Sequence, residues 1–176
     1  MKAINGNCFI ERHPMEKTFM GLEISEKALT KNYVGVCMYS DNDKFVGMEL
    51  HVPHFGVLDA TVDGREYALT KEEKLFAAKD GENWRPINGY IKIRKCVNDH
   101  IRDESGAIAL YMTENNIEST NWVEILDVSD DCKKMKREYI GYYCVSPETS
   151  ERLQRIGYTK DFCLHEDEIH WLTDGE

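Results

Sequence analysis

The sequence predicts an all-β protein made of two tandem copies of one small module, and three observations carry that prediction. Apolar and polar residues alternate over runs of about four to eight residues, the period of a half-buried strand. Gly, Asn, Asp and Pro separate these runs, and helical periodicity is scarce, the stretch from Glu148 to Gln154 being a brief exception. The same series of features is also written twice, in one order, along the 176 residues.

Taken in order, Ile4-Asn5-Gly6 recurs as Ile87-Asn88-Gly89, and each triplet opens a strand. In Asn7 to Arg12 the residues Cys8 and Ile10 share a face; in Tyr90 to Lys95 Ile91 and Ile93 do so at the same offset. A long polar stretch follows in each half, with a Gly-led apolar patch: Met20-Gly21-Leu22-Glu23-Ile24, then Gly106-Ala107-Ile108-Ala109-Leu110. The next strand is Tyr33 to Met38, matched by Trp122 to Leu126, and an acidic turn comes after each (Ser40 to Asp43, and Ser129 to Asp131). Phe45 to Pro53 is echoed by Tyr139 to Pro147. Each half closes on a strand, a short acidic turn and an apolar run: Glu66 to Phe76, and Asp161 to Trp171. The polar stretch Lys79-Asp80-Gly81-Glu82-Asn83 lies between the halves, so the domains read as 1–79 and 85–176 with a linker at 80–84.

Composition narrows the function. The net charge is −10, and the halves on either side of residue 83 carry −4 and −6. That balance disfavours nucleic acid as a partner, since a nucleic-acid binder needs a basic face for phosphates. No apolar run approaches the ~18 to 20 residues of a membrane span, and the start of the chain lacks a signal-peptide apolar region. A cytoplasmic protein with no membrane association is expected. The six cysteines (Cys8, Cys37, Cys96, Cys132, Cys144 and Cys163) have no zinc-knuckle or redox-pair spacing and read as small buried hydrophobes.

Candidate chemistry is thin. His165-Glu166-Asp167-Glu168-Ile169-His170 places its histidines five apart, whereas a helical zinc site needs four, so it reads as a solvated acidic turn. His51 and His54 flank Val52-Pro53 and read as surface or turn residues. Asp41, Asn42 and Asp43 lack the spacing and Gly of a calcium loop. No phosphate-binding Gly-rich signature and no Ser/His/Asp arrangement is legible. Neither an enzyme nor a cofactor nor a metal is expected.

The order of motifs resembles the chaperonin-10 (GroES-like) co-chaperonin family over nearly the whole chain, twice. Arg85-Pro86-Ile87 is similar to the family's opening, Ser105 to Leu110 to its loop motif, and Gly47 and Gly141 to a turn before its penultimate β-element. Lys71 to Ala77 and Glu166 to Leu172 resemble its closing acidic-apolar segment. The Asp that follows the family's turn Gly is replaced by Met48 and Tyr142, and there is little room for a roof hairpin, a trait similar to bacteriophage members. The resemblance implies two tandem GroES-like β-barrel domains with long mobile loops. It also implies a homo-oligomeric ring, and a 60 kDa-class, ATP-dependent chaperonin as the partner that it caps during protein folding.

The partner-binding residues implied are Leu22, Glu23 and Ile24 in a first loop, roughly His13 to Asn32, and Ile108, Ala109 and Leu110 in a second, roughly Val97 to Asn121. In an extended tripeptide the outer residues share a face, so Leu22 and Ile24, or Ile108 and Leu110, can enter a groove together. Burying two such side chains is worth about 3 to 6 kcal/mol gross, while ordering a loop costs about 2 to 5 kcal/mol. Single loops therefore bind weakly, and several on a ring bind firmly. Two modules per chain do not divide evenly into a sevenfold partner. The rival expectation is a structural or interaction protein, for example of a virus particle, that reuses the barrel without chaperonin binding.

Overall fold

The computed structural model describes residues 2–14, 18–19, 22–23, 32–95, 122–145, 153–156 and 159–174. Two compact units divide the chain, Met1–Trp84 and Arg85–Glu176. The architecture is all-β. Among the described residues the only helical pieces are single 3₁₀ turns at Glu72–Lys74, Arg137–Tyr139 and Glu166–Glu168. No helix there is long and apolar enough to cross a membrane.

The repeated Ile-Asn-Gly triplets are the physical start of each sheet. Asn5 and Gly6 have φ of 57° and 65°, and Asn88 and Gly89 have 55° and 75°. Two successive residues at positive φ make the mirror-image turn whose twist matches a β-ribbon, and Asn-Gly adopts it at least cost. The turns close through Asn7 N to Ile4 O (3.2 Å) and Tyr90 N to Ile87 O (3.1 Å).

From these turns the chain lays down β1 (Asn7–Arg12), β2 (Thr18–Phe19), β3 (Leu22–Glu23), β4 (Val34–Ser40), β5 (Glu49–His51), β6 (Leu58–Val62), β7 (Arg65–Lys71), β8 (Ala77–Asp80) and β9 (Asn83–Pro86). Then come β10 (Tyr90–Lys95), β11 (Trp122–Val128), β12 (Tyr143–Val145), β13 (Gln154–Arg155), β14 (Asp161–His165) and β15 (Leu172–Thr173). One sheet has the order β6-β7-β1-β4-β5-β8-β9, the other β13-β14-β10-β11-β12-β15, and β2 pairs with β3. Substituting β10 to β15 for β1, β4, β5, β6, β7 and β8 in chain order converts the first six strands of the first sheet into the order of the second, and β9 has no counterpart there among the described residues. The repeat therefore extends from motif order to strand order.

It extends to register as well. The β1–β4 ladder slips between Phe9 and Ile10, and the β10–β11 ladder slips at the equivalent place, between Lys92 and Ile93. Gly47 N donates to Cys37 O at 2.8 Å, and Gly141 N donates to Ile125 O at 2.8 Å. Bulges and turns thus recur where the sequence similarity is faint.

Inward strand positions and the segments that link the strands supply the cores together. Cys8, Ile10, Cys37, Phe45, Leu50, Val52, Leu75 and Phe76 are buried in the first unit. In the second, Ile91, Ile93, Val123, Ile125, Val128, Met135, Cys144 and Leu164 form one cluster. A side chain of this type contributes about 1.5 to 3 kcal/mol when fully buried. Cys163 is buried too and Cys132 half-buried; burial pushes the Cys132 thiol up to about 12, so it stays protonated and unreactive.

Three details depart from the sequence reading. Small barrels are expected from the short-strand pattern, but closure requires the end strands of a sheet to exchange hydrogen bonds. Among the described residues β6 and β9 end one sheet and β13 and β15 the other, so both are open. The polar stretch Lys79 to Asn83, which composition marks as a linker, is folded: β8 ends at Asp80, β9 begins at Asn83, and the two are adjacent in the sheet. Gln154, placed at the end of a brief helix by its sequence context, lies in β13 instead.

Candidate partner-binding segments

Both long inserts leave their sheets at the same topological point, between β1 and β4 in the first unit and between β10 and β11 in the second. Their flanking strands are paired neighbours, so each insert starts and ends on adjacent strands of its own sheet.

The first neck is held by Arg12. It occupies the inward phase of β1 set by Cys8 and Ile10, and its side chain is only 3% exposed. A buried guanidinium needs partners. Nη1 donates to the carbonyl of Asn32 and Nη2 to Asp59 Oδ1 at 2.8 Å, while the ring of Tyr33 lies 5.8 Å away. Asn32 completes the closure, its Oδ1 accepting from Val34 N at 3.0 Å, and His13 N donates to Val34 O at 2.9 Å. One side chain thus ties both ends of the insert and anchors β6. Sequence reasoning missed Arg12, Asn32 and Asp59; the available signal was a charge at the inward phase of a strand.

The second neck is built differently. Lys95 stands where Arg12 stands in the repeat, pairs with Val123 along the ladder, and has its Nζ 5.8 Å from the Phe162 ring. Buried Asp161 accepts from Arg94 Nε at 2.8 Å and lies 3.5 Å from Lys92 Nζ.

Of the implied binding residues, Leu22 and Glu23 form β3, whose backbone pairs Phe19 with Leu22 and Thr18 with Glu23. Ile24, Ile108, Ala109 and Leu110 lie outside the described residues. The fold brings the two inserts to equivalent positions in their sheets.

The acidic turns are supports. Glu72 and Glu166 occupy equivalent 3₁₀ turns, and their N–H groups donate to Gly6 O and Gly89 O, each at 2.9 Å. The Glu72 carboxylate accepts from Asp41 N at 2.7 Å, Asn42 Nδ2 at 2.9 Å and the Ser40 hydroxyl. Glu166 accepts from Lys133 N (2.9 Å), Lys134 N (2.7 Å) and Met135 N (3.0 Å). The reading of His165 to His170 as a solvated turn is corrected at Glu166, which is buried. His165 faces its own turn, with Nδ1 accepting from Asp167 N at 3.3 Å.

His51 is a second correction. Pro53 prevents a strand from continuing, but β5 ends before it, and His51 is 2% exposed between Phe76 and Trp84, at ring distances of 5.4 and 4.6 Å. Neither ring nitrogen has a hydrogen-bond partner among the described residues. His54 is exposed and packs in a tilted arrangement against the Tyr33 ring, with centroids 4.2 Å apart. No group of three or more His, Cys, Asp or Glu side chains among the described residues is placed to hold a metal ion.

Compared with models of protein families and with curated proteins, the chain matches none.

Proposed function

We propose that this chain is a co-chaperonin-like protein: two GroES-like modules in tandem, each carrying a loop whose apolar tripeptide docks into a chaperonin ring. On this reading it is not an enzyme. The partner hydrolyses ATP, the chain assembles as a homo-oligomeric ring in the cytoplasm, and folding protein is enclosed beneath it. The observation that carries the reading is positional. Long inserts with apolar patches leave two sheets that share a six-strand order at the same point, between the first strand and its paired neighbour. A fold that repeats an insert along with its framework has kept both as one working unit. The neck held by Arg12 suits a tethered binding arm, since it fixes the base of the first insert.

Co-sedimentation of the full chain with a bacterial chaperonin, with and without ATP, tests this proposal. A nucleotide-dependent complex is expected, and Ile108→Asp with Leu110→Asp is expected to abolish it. Absence of any complex, or a complex indifferent to those two changes, overturns the capping role. Recovery of the protein from purified virus particles with no chaperonin complex would favour the structural rival.

A further inference from the structure

Two thiols meet inside the first unit. Cys8 and Cys37 face the core from adjacent strands, β1 and β4, and are 0% and 1% exposed. In the ladder Cys8 stands opposite Ser40 and Cys37 opposite Ile10, so the two cysteines are diagonal neighbours on one face. The Cys8 thiol donates a hydrogen bond to the Cys37 sulfur. Each sulfur also lies near a main-chain carbonyl, Cys8 Sγ 3.5 Å from Thr70 O and Cys37 Sγ 3.4 Å from Tyr39 O. The ladder skips Met38, next to Cys37, and a bulged strand bends locally at such a residue. The repeat supplies the contrast: Ile91 and Ile125 hold the two places in the second unit. Aliphatic side chains therefore satisfy this part of the core, and the paired thiols of the first unit are an addition to it.

We propose that Cys8 and Cys37 are a redox pair, which hydrogen peroxide oxidises to a disulfide joining β1 to β4. The bond closes a covalent loop containing the whole first insert, so oxidation fixes the two strands from which that insert leaves. Contact with the Cys8 thiol lowers the Cys37 pKa against the opposing effect of burial, whereas contact with Cys37 and burial both raise that of Cys8. Cys37 is therefore the nucleophile. Its thiolate attacks one peroxide oxygen, the O–O bond breaks, and the departing hydroxide takes up the proton that Cys37 released, giving a sulfenic acid and water. The Cys8 thiol then attacks the Cys37 sulfur. The S–S bond forms, the S–O bond breaks, and the oxygen leaves with the Cys8 proton as a second water. The two sulfurs lose two electrons in all, and the peroxide gains them. Forming the bond draws the sulfurs from hydrogen-bond contact to ~2.05 Å, and the bulge at Met38 lets β4 follow. A dithiol reductant reverses the step. Near-complete burial restricts the site to a small oxidant. The inference is independent of the capping role.

Peptide mapping by mass spectrometry of the folded full chain, alkylated after exposure to hydrogen peroxide, tests it. A disulfide-linked peptide pair carrying Cys8 and Cys37 is expected, absent before oxidation and lost again in dithiothreitol. Cys8→Ala is expected to strand Cys37 as a sulfenic acid that dimedone traps, while Cys37→Ala leaves Cys8 as a thiol that dimedone does not label. A pair of cysteines that only fill space does not produce that contrast. The wild-type map decides the inference even where a variant fails to fold. No linked peptide while the circular dichroism stays native, or a link that forms only in urea, overturns it. Dimedone labelling of Cys8 in Cys37→Ala at the level found on Cys37 in Cys8→Ala overturns the assignment of Cys37 as the nucleophile.

Discussion

Glu166 illustrates how a single buried side chain organises a loop. Burial alone raises a carboxyl pKa, but the N–H groups of Lys133, Lys134 and Met135 outweigh it and hold Glu166 below its ordinary value. A carboxyl depressed in the folded state stabilises the protein above its unfolded pKa of ~4.3 and loses that contribution as pH falls through the lower folded value. Glu166→Gln keeps the shape but turns an amide N–H₂ toward donors. It is expected to cost about 1 to 3 kcal/mol, read as a lower urea midpoint at pH 7, with the difference from wild type shrinking in acid. Equal midpoints at pH 7 would show that the carboxylate is dispensable. The sequence places this glutamate in an acidic turn and says nothing of the three amides it satisfies, which come from residues more than thirty positions away.

The β1–β4 ladder shows why equivalent elements are not interchangeable. Gly35 and Val123 occupy the same place in the repeat, each opposite the last residue of the first strand, Arg12 or Lys95. A Cβ on Gly35 would lie 2.3 Å from Glu11 O and 2.8 Å from Ile10 Cγ2. The main-chain oxygen cannot swing aside, so the two strands approach more closely here than a side chain permits. Gly35→Val, the residue its counterpart carries, is expected to destabilise the first unit by about 1 to 3 kcal/mol, measured as a drop in its unfolding midpoint; an unchanged midpoint would mean that the ladder yields freely. Strand positions and phases are legible in the sequence because alternation is a local property. The close approach is not, since it depends on how two strands are pressed together by the segments around them.

The whole molecule carries one pH-sensitive core and one that lacks the same group. His51 is buried, and desolvation first, with repulsion from His54 second, lowers its pKa from 6.5 to about 4. The unfolded chain takes up a proton near 6.5 while the folded one resists until about 4, so stability conferred by neutral His51 is present above 6.5 and lost as pH falls toward 4. The loss is roughly 3 kcal/mol at most. Val145 stands at the equivalent ladder position, pairing with Trp122 as His51 pairs with Val34. Calorimetry at pH 7.5 and 5 is therefore expected to show the first unit losing stability selectively, and His51→Phe to remove that selectivity. Equal pH dependence in wild type and variant would assign the effect elsewhere. The duplication that makes this comparison available is readable from the order of motifs; which copy is acid-sensitive is not, because His51 reads as a surface residue beside Pro53 until the packing of Phe76 and Trp84 is known.

By itself the amino-acid sequence determined the all-β class, the Asn-Gly turns, the alternating strands and the doubling of the pattern. Each of these is dictated by neighbours a few residues apart: positive φ at two successive positions, or side chains leaving a strand on alternate sides. Tertiary structure alone decided which groups lost their water and which distant segments met. It set Arg12 between Asn32 and Asp59, buried Glu72, Glu166 and His51, left both sheets open among the described residues, and exposed all five residues of β6. Desolvation and pairing depend on the whole packed body, and no local run of residues encodes them.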